Sequence, residues 1–240
     1  MCGVNSGATE NTEEAMPVIR DFTVQIDLHH VAGQRGGFLS RLAARPAWQD
    51  MYRSAVSEAA HLLRPAIAYA VLPVTGTEQG RLRIGDGEYL ESPVVARLLA
   101  AAQDVVLAAF SIGPLLEERV ASHQAAGEYP AGFALDIAGA IAVGEVGKVA
   151  FQAIDELAVS RGLRASIPLN PGTTHWPLSG NHVFAKLIPT DEIGVEVLDS
   201  GLLRPFKSIS YAVGLGKDVL TPEQGSSCDY CDTRDLCRQW

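Results

Sequence analysis

The fifty residues from Ile167 to Gly216 constrain the fold of this chain more than any other stretch. The segment IPLNPGTTHWPLSGNHVFAKLIPTDEIGVEVLDSGLLRPFKSISYAVGLG reads as a strand, a tight turn, a short helix and two further strands. Asn170-Pro171-Gly172 sets the turn, because proline presets φ and glycine tolerates positive φ. Such a turn is expected to leave main-chain N–H groups free to meet a ligand.

Elsewhere strands and helices mix without βαβ alternation and without a repeat. That pattern points to an α+β protein with a mostly antiparallel sheet. From Phe22, FTVQIDL alternates apolar and polar, the period-2 signal of a half-buried strand. Trp48–Leu63 has helical spacing, Ala66–Val74 reads as a buried strand, and Arg81–Ile84 as a short one. Ser92-Pro93 supplies an N-cap and a first-turn proline for a helix over Val94–Ala102, and Val105–Ile112 is a further strand. A long helix begins near Ala131 and carries Gly132, Gly139, Gly144 and Gly147, each costing up to about 1 kcal/mol relative to alanine. Close packing of a neighbouring element is the simpler reason for them; a ligand surface near Glu145 is the other. Arg161 and Gly162 close this helix through the dipole and a glycine cap.

At 240 residues the chain is long enough for a sizeable core. Its 19 basic and 28 acidic residues give a formal charge of −9. Nucleic acid and anionic membrane surfaces both need clustered Lys and Arg, so neither is an expected partner. The longest charge-free apolar run, Val105–Leu116, has 12 residues and is broken by Gly113-Pro114, against about 20 for a bilayer span. The N-terminus is polar and acidic, unlike a signal peptide, and a cytoplasmic protein is expected. The expected organisation is a mobile tail over residues 1–16, one domain over 17–222, and a cysteine-rich tail over 223–240.

That tail holds Cys228, Cys231 and Cys237 in a C-x₂-C-x₅-C arrangement, three of the four cysteines in the chain. In a cytosolic protein such clustering favours thiolate coordination of zinc or an iron–sulfur cluster over structural disulfides. A closed zinc site needs a fourth ligand, for which Cys2, His29 and His30 are candidates. A redox-active thiol pair is the alternative.

Around the turn, Thr173, Thr174, His175, Trp176 and Asn181 offer hydrogen-bonding groups and one large ring. Trp176 suits stacking on an adenine or covering an apolar pocket, or else anchors the start of the next helix. His175 titrates near neutral pH and is a candidate proton donor or cobalt ligand, though a helix-entry role is simpler. Ser208 and Ser210 share one face of a strand and point to whatever lies above it. No Walker loop, G-x-G-x-x-G, H-E-x-x-H or G-x-S-x-G element occurs.

The order Pro-Gly, Trp-Pro-Leu, Ile-Gly-Val and Lys-Ser-x-Ser, at Pro171, Trp176, Ile193 and Lys207, resembles the activation (AdoMet-binding) domain of cobalamin-dependent methionine synthase. It resembles more closely the stand-alone relatives of that domain. Asp104–Glu118 looks like the family's strand, Ile-Gly turn and helix start. Leu135–Ala140 looks like the "LD" run of its central helix, with Glu145 as the acidic residue. The first 90 residues match in element order only.

The resemblance implies a single α+β domain with a mostly antiparallel curved sheet packed by helices. It also implies a site for S-adenosylmethionine built from Glu145, Asn170, Pro171, Gly172, Thr173, Trp176, Ser208 and Ser210. The family carries an arginine and a tyrosine where this chain has Pro168 and Thr173, and proline offers none of arginine's forked donors. The D-x-H-x-x-G corrinoid motif is absent, so cobalamin is expected on a partner. The implied function is an accessory role in reductive, AdoMet-dependent reactivation of a corrinoid protein or methionine synthase, with an electron donor. The alternative is a metal- or Fe–S-binding interaction or sensor module that keeps the fold without AdoMet.

Overall fold

Residues 17–27 and 45–234 are described in the computed structural model. They run β1 (Val18–Ile19), α1 (Pro46–Leu62), β2 (Ala66–Glu78), β3 (Arg81–Ile84), β4 (Glu88–Leu90), α2 (Pro93–Leu98), β5 (Asp104–Ser111), α3 (Leu115–Ala125) and α4 (Tyr129–Ser160). Then follow β6 (Arg164–Ala165), α5 (Asn181–Leu187), β7 (Glu196–Val197), β8 (Leu203–Arg204) and β9 (Ser208–Gly216). Single 3₁₀ turns occur at Leu178–Gly180 and Ser227–Tyr230.

The main sheet has the order β4-β3-β2-β5-β9-β6, with β1 on β2, and β7 and β8 form a separate ribbon. Every pairing is antiparallel, and one cross-sheet row runs Tyr69–Ala108–Tyr211. β5 reads as an unbroken apolar run because both its faces are covered. Val106, Ala108 and Phe110 pack on the side of α1, α3 and α4, while Val105, Leu107 and Ala109 pack on the side of α2 and α5. Two cores, one on each side of the sheet, follow from this alternation.

Most elements lie where the sequence pattern puts them. Ser92 Oγ accepts from the Val95 N–H at 3.2 Å, and Pro93 opens α2. The helix stops at Leu98 rather than Ala102, where a turn delivers the chain to β5. The period-2 stretch after Asp21 is a partial correction: Phe22, Val24 and Ile26 are half-buried against the core, yet residues 21–27 form no ladder. The pattern reports one-sided burial, which an extended segment shows whether or not it finds a strand partner. After β9 the chain turns back along the sheet, burying Val219 and Thr221, and the Ile167 N–H donates to the Leu220 carbonyl at 2.8 Å. The segment 1–16 lies outside the described residues.

By length and composition alone α4 is apolar enough to cross a bilayer, and half of that stretch is buried in this fold. An uninterrupted-run count does not find it, because Asp136, Glu145 and Lys148 punctuate the helix. Its buried positions face β5, β9, α1 and α3.

Candidate functional site

A cleft of about 620 Å³ opens between α4, the α4-facing side of the sheet and the Pro168–Asn170 segment. α4 supplies Gly144, Gly147, Lys148, Phe151, Gln152 and Asp155. Their spacing of three, one, three, one and three residues keeps them on one helical face. The sheet supplies Phe110, Ile209 and Tyr211, and Pro222 also lines the cleft. Phe110 and Tyr211 meet edge-to-face at 5.2 Å and 60°.

Gly147 and Gly144 differ in purpose. A Cβ at Gly147 would stand 3.0 Å from Phe110 Cζ, so this glycine lets α4 approach β5. Gly139 does the same for α3, with Leu116 Cδ2 at 2.6 Å, and Gly132 for His123 at 3.2 Å. At Gly144 nothing lies within 4 Å, and the missing side chain leaves open space in the cleft. Close packing thus explains three of the four helix glycines, and a free surface is left at the fourth.

Charge in the cleft comes from Lys148 and Asp155. Lys148 Nζ donates to Glu145 Oε1 at 2.7 Å. Glu145 itself flanks the cleft one turn back rather than lining it. The Tyr211 hydroxyl donates to the Gly147 carbonyl at 3.2 Å, and burial pushes its pKa well above the ordinary phenol value. It therefore remains a neutral donor that ties β9 to α4.

The turn is closed on itself. Gly172 takes φ of 91°, as a Pro-Gly turn requires, but its N–H donates to the Trp176 carbonyl at 2.8 Å. That N–H is not free for a ligand, contrary to expectation. Thr173 Oγ1 donates to the Asn170 carbonyl at 3.0 Å, and Asn170 Nδ2 to the Ser210 carbonyl at 2.8 Å. Asn170 is thereby fixed in the cleft wall, while Pro171, Gly172 and Thr173 form the bend behind it.

Three of the sequence-derived candidates lie on the opposite side of the sheet. Ser208 Oγ donates to Ser111 Oγ at 2.9 Å, and Ser210 Oγ donates to Asn181 Oδ1. Strand alternation explains this, since Ile209 and Tyr211 face α4 and the serines face away. Trp176 is 1% exposed and packs on Phe184 at 5.9 Å, as a core residue anchoring the helix that follows. The same alternation, with the 144–155 helical stripe, is the sequence signal that would have identified the lining residues.

The tail lies against the turn. Thr174 Oγ1 donates to Cys231 Sγ at 3.8 Å and accepts from the Asp232 N–H at 3.0 Å, and Thr233 Oγ1 lies 3.2 Å from the same sulfur. Hydrogen bonds from Thr233 and then Thr174 hold the Cys231 thiol below its ordinary pKa. Burial lowers the His175 pKa, against an opposing pull from the Tyr230 main chain and Asp232, and neither ring nitrogen has a partner at normal hydrogen-bond geometry. Cys228 and Cys231 are free thiols. Cys2, His29, His30 and Cys237 lie outside the described residues. Among the described residues no three His, Cys, Asp or Glu side chains come together as a metal site, so the zinc or iron–sulfur expectation gains no support.

No family model and no curated protein matches this chain. Among solved structures, a crystal structure of the MetH reactivation domain bound to AdoHcy matches with a TM-score of 0.50 and 12% identity, over 76% of this chain and 70% of that one. The chain has the fold of that domain: helices packed on a curled antiparallel sheet, as the motif order implied.

Proposed function

We propose that this chain binds S-adenosylmethionine, or its demethylated product, in the cleft between α4 and β9, and presents it to a corrinoid carried by a partner protein. The observation that carries this reading is the cleft itself, open at Gly144 and walled by Asn170, in a fold whose solved counterpart holds AdoHcy. Its volume is within the roughly 300–1,000 Å³ of small-molecule sites.

The lining fits such a ligand in kind. Phe151, half-buried in the cleft wall, offers aromatic surface to an adenine or to a sulfonium, whose positive charge is attracted to a ring face. Lys148 and Asp155 lie seven residues apart on one helical face, a cation for the amino-acid carboxylate and an anion for its ammonium. Lys148 takes the role that the family gives to arginine, as a point charge rather than a fork, so the expected affinity is modest. The methyl transfer itself belongs to the corrinoid, and the electron that restores its cobalt comes from a separate donor; the chain supplies position and shelter from water.

Calorimetric titration tests this. AdoMet is expected to bind with a Kd tighter than about 1 mM, a free energy of about −4.1 kcal/mol. Lys148→Met should weaken it by about tenfold, the loss of one charge-assisted contact. Absence of heat with both AdoMet and AdoHcy at millimolar ligand overturns the reading.

A further inference from the structure

We propose that Cys228 and Cys231 form a dithiol–disulfide couple, oxidised by low-molecular-weight disulfides such as oxidised glutathione. This inference does not depend on what occupies the cleft.

The local backbone geometry permits closure. Ser226 and Asp229 form a reciprocal capping box that starts the 3₁₀ turn Ser227–Tyr230, and the Cys231 N–H donates to the Cys228 carbonyl at 3.3 Å. A turn closed between residues i and i+3 keeps their Cα atoms within about 7 Å, and a disulfide spans about 4.4–6.8 Å. Cys228 is exposed and Cys231 partly so, hence both are open to a small reagent. Two hydroxyls, from Thr174 and Thr233, converge on the Cys231 sulfur and hold it in one position. The neighbouring Asp229 carboxylate is engaged by Arg234 at 2.9 Å, which moderates its repulsion of a thiolate.

The exchange balances without another reactant. Either protein sulfur, as the thiolate, attacks one sulfur of the glutathione disulfide, whose S–S bond breaks and releases one glutathione thiolate. The other protein sulfur then attacks the first at this mixed disulfide, forming the intramolecular S–S bond and releasing the second thiolate. The two protein thiols give up two electrons and two protons, and two glutathione molecules take them up.

Full-length protein is equilibrated in reduced and oxidised glutathione mixtures, quenched with iodoacetamide and digested with trypsin. Cleavage after Lys217 and Arg234 leaves Cys228 and Cys231 on one peptide and Cys237 on the next. The expected product is the 218–234 peptide unalkylated and lighter by two hydrogens, with Cys231→Ser trapping a glutathione adduct on Cys228. Circular dichroism of Cys231→Ser unchanged from the parent shows that the variant is folded. Double alkylation at every ratio overturns the proposal, as does a cross-link from either thiol to Cys237 or Cys2. So does a stoichiometric metal that shields both thiols until a chelator is added.

Discussion

Gly139 and Gly144 stand one and a half turns apart on α4 and answer to different demands. At Gly139 a methyl group would press on the Cδ2 of Leu116, which is fully buried and would have to shift. Gly139→Ala is therefore expected to destabilise the fold by about 1–3 kcal/mol, read as a lower urea midpoint. Gly144→Ala, with nothing to meet, should raise the midpoint, through a stability gain of up to about 1 kcal/mol from helix propensity. The sequence shows four glycines in a helix but not which one faces empty space, because that depends on where α3 and β5 lie. His175 supplies a second prediction at this scale. Its folded-state pKa is depressed by burial, so the unfolded chain takes up the proton first as pH falls. Its contribution to stability is whole above about pH 6.5 and is lost as pH drops through the folded value. Thermal melts should show His175→Gln flattening the fall in Tm over that window; an unchanged slope would contradict the assignment.

Among the elements, β9 and α5 are joined by one buried side chain. Asn181 is 2% exposed, donates to the Gly201 carbonyl at 2.8 Å and accepts from Ser210. Asn181→Ala strands a carbonyl and a hydroxyl in the core on the side of α2 and α5, at about 1–3 kcal/mol each. Denaturant unfolding should show a loss of about 2 kcal/mol or more, and less than about 0.5 kcal/mol would show these groups satisfied otherwise. Much at this scale was legible: the Ser92-Pro93 start of α2, the run that becomes β5, the Arg161-Gly162 end of α4. What the pattern does not give is direction. The Lys-Ser-x-Ser order marks β9 correctly, yet its polar side chains, Ser208 and Ser210, bond to Ser111 and Asn181. The apolar partners between them, Ile209 and Tyr211, face the cleft.

For the whole molecule, the sheet separates two packed cores, and the chain after β9 returns along it to place Pro222 at the cleft and Cys231 at the Thr174 turn. That return path joins residues 50 and more apart in sequence, which is why neither the place of Pro222 in the cleft lining nor the tail's seat could be read from local pattern. Gly144→Leu is the direct test of the cleft as a ligand site, since the new side chain grows into open space without disturbing the packing of α4. Calorimetric titration of AdoMet into the parent and this variant should give measurable binding in the parent and at least about a tenfold weaker Kd, about 1.4 kcal/mol, in the variant, with Tm equal or higher. Equal affinity in the two proteins, or no binding in either, would contradict the account.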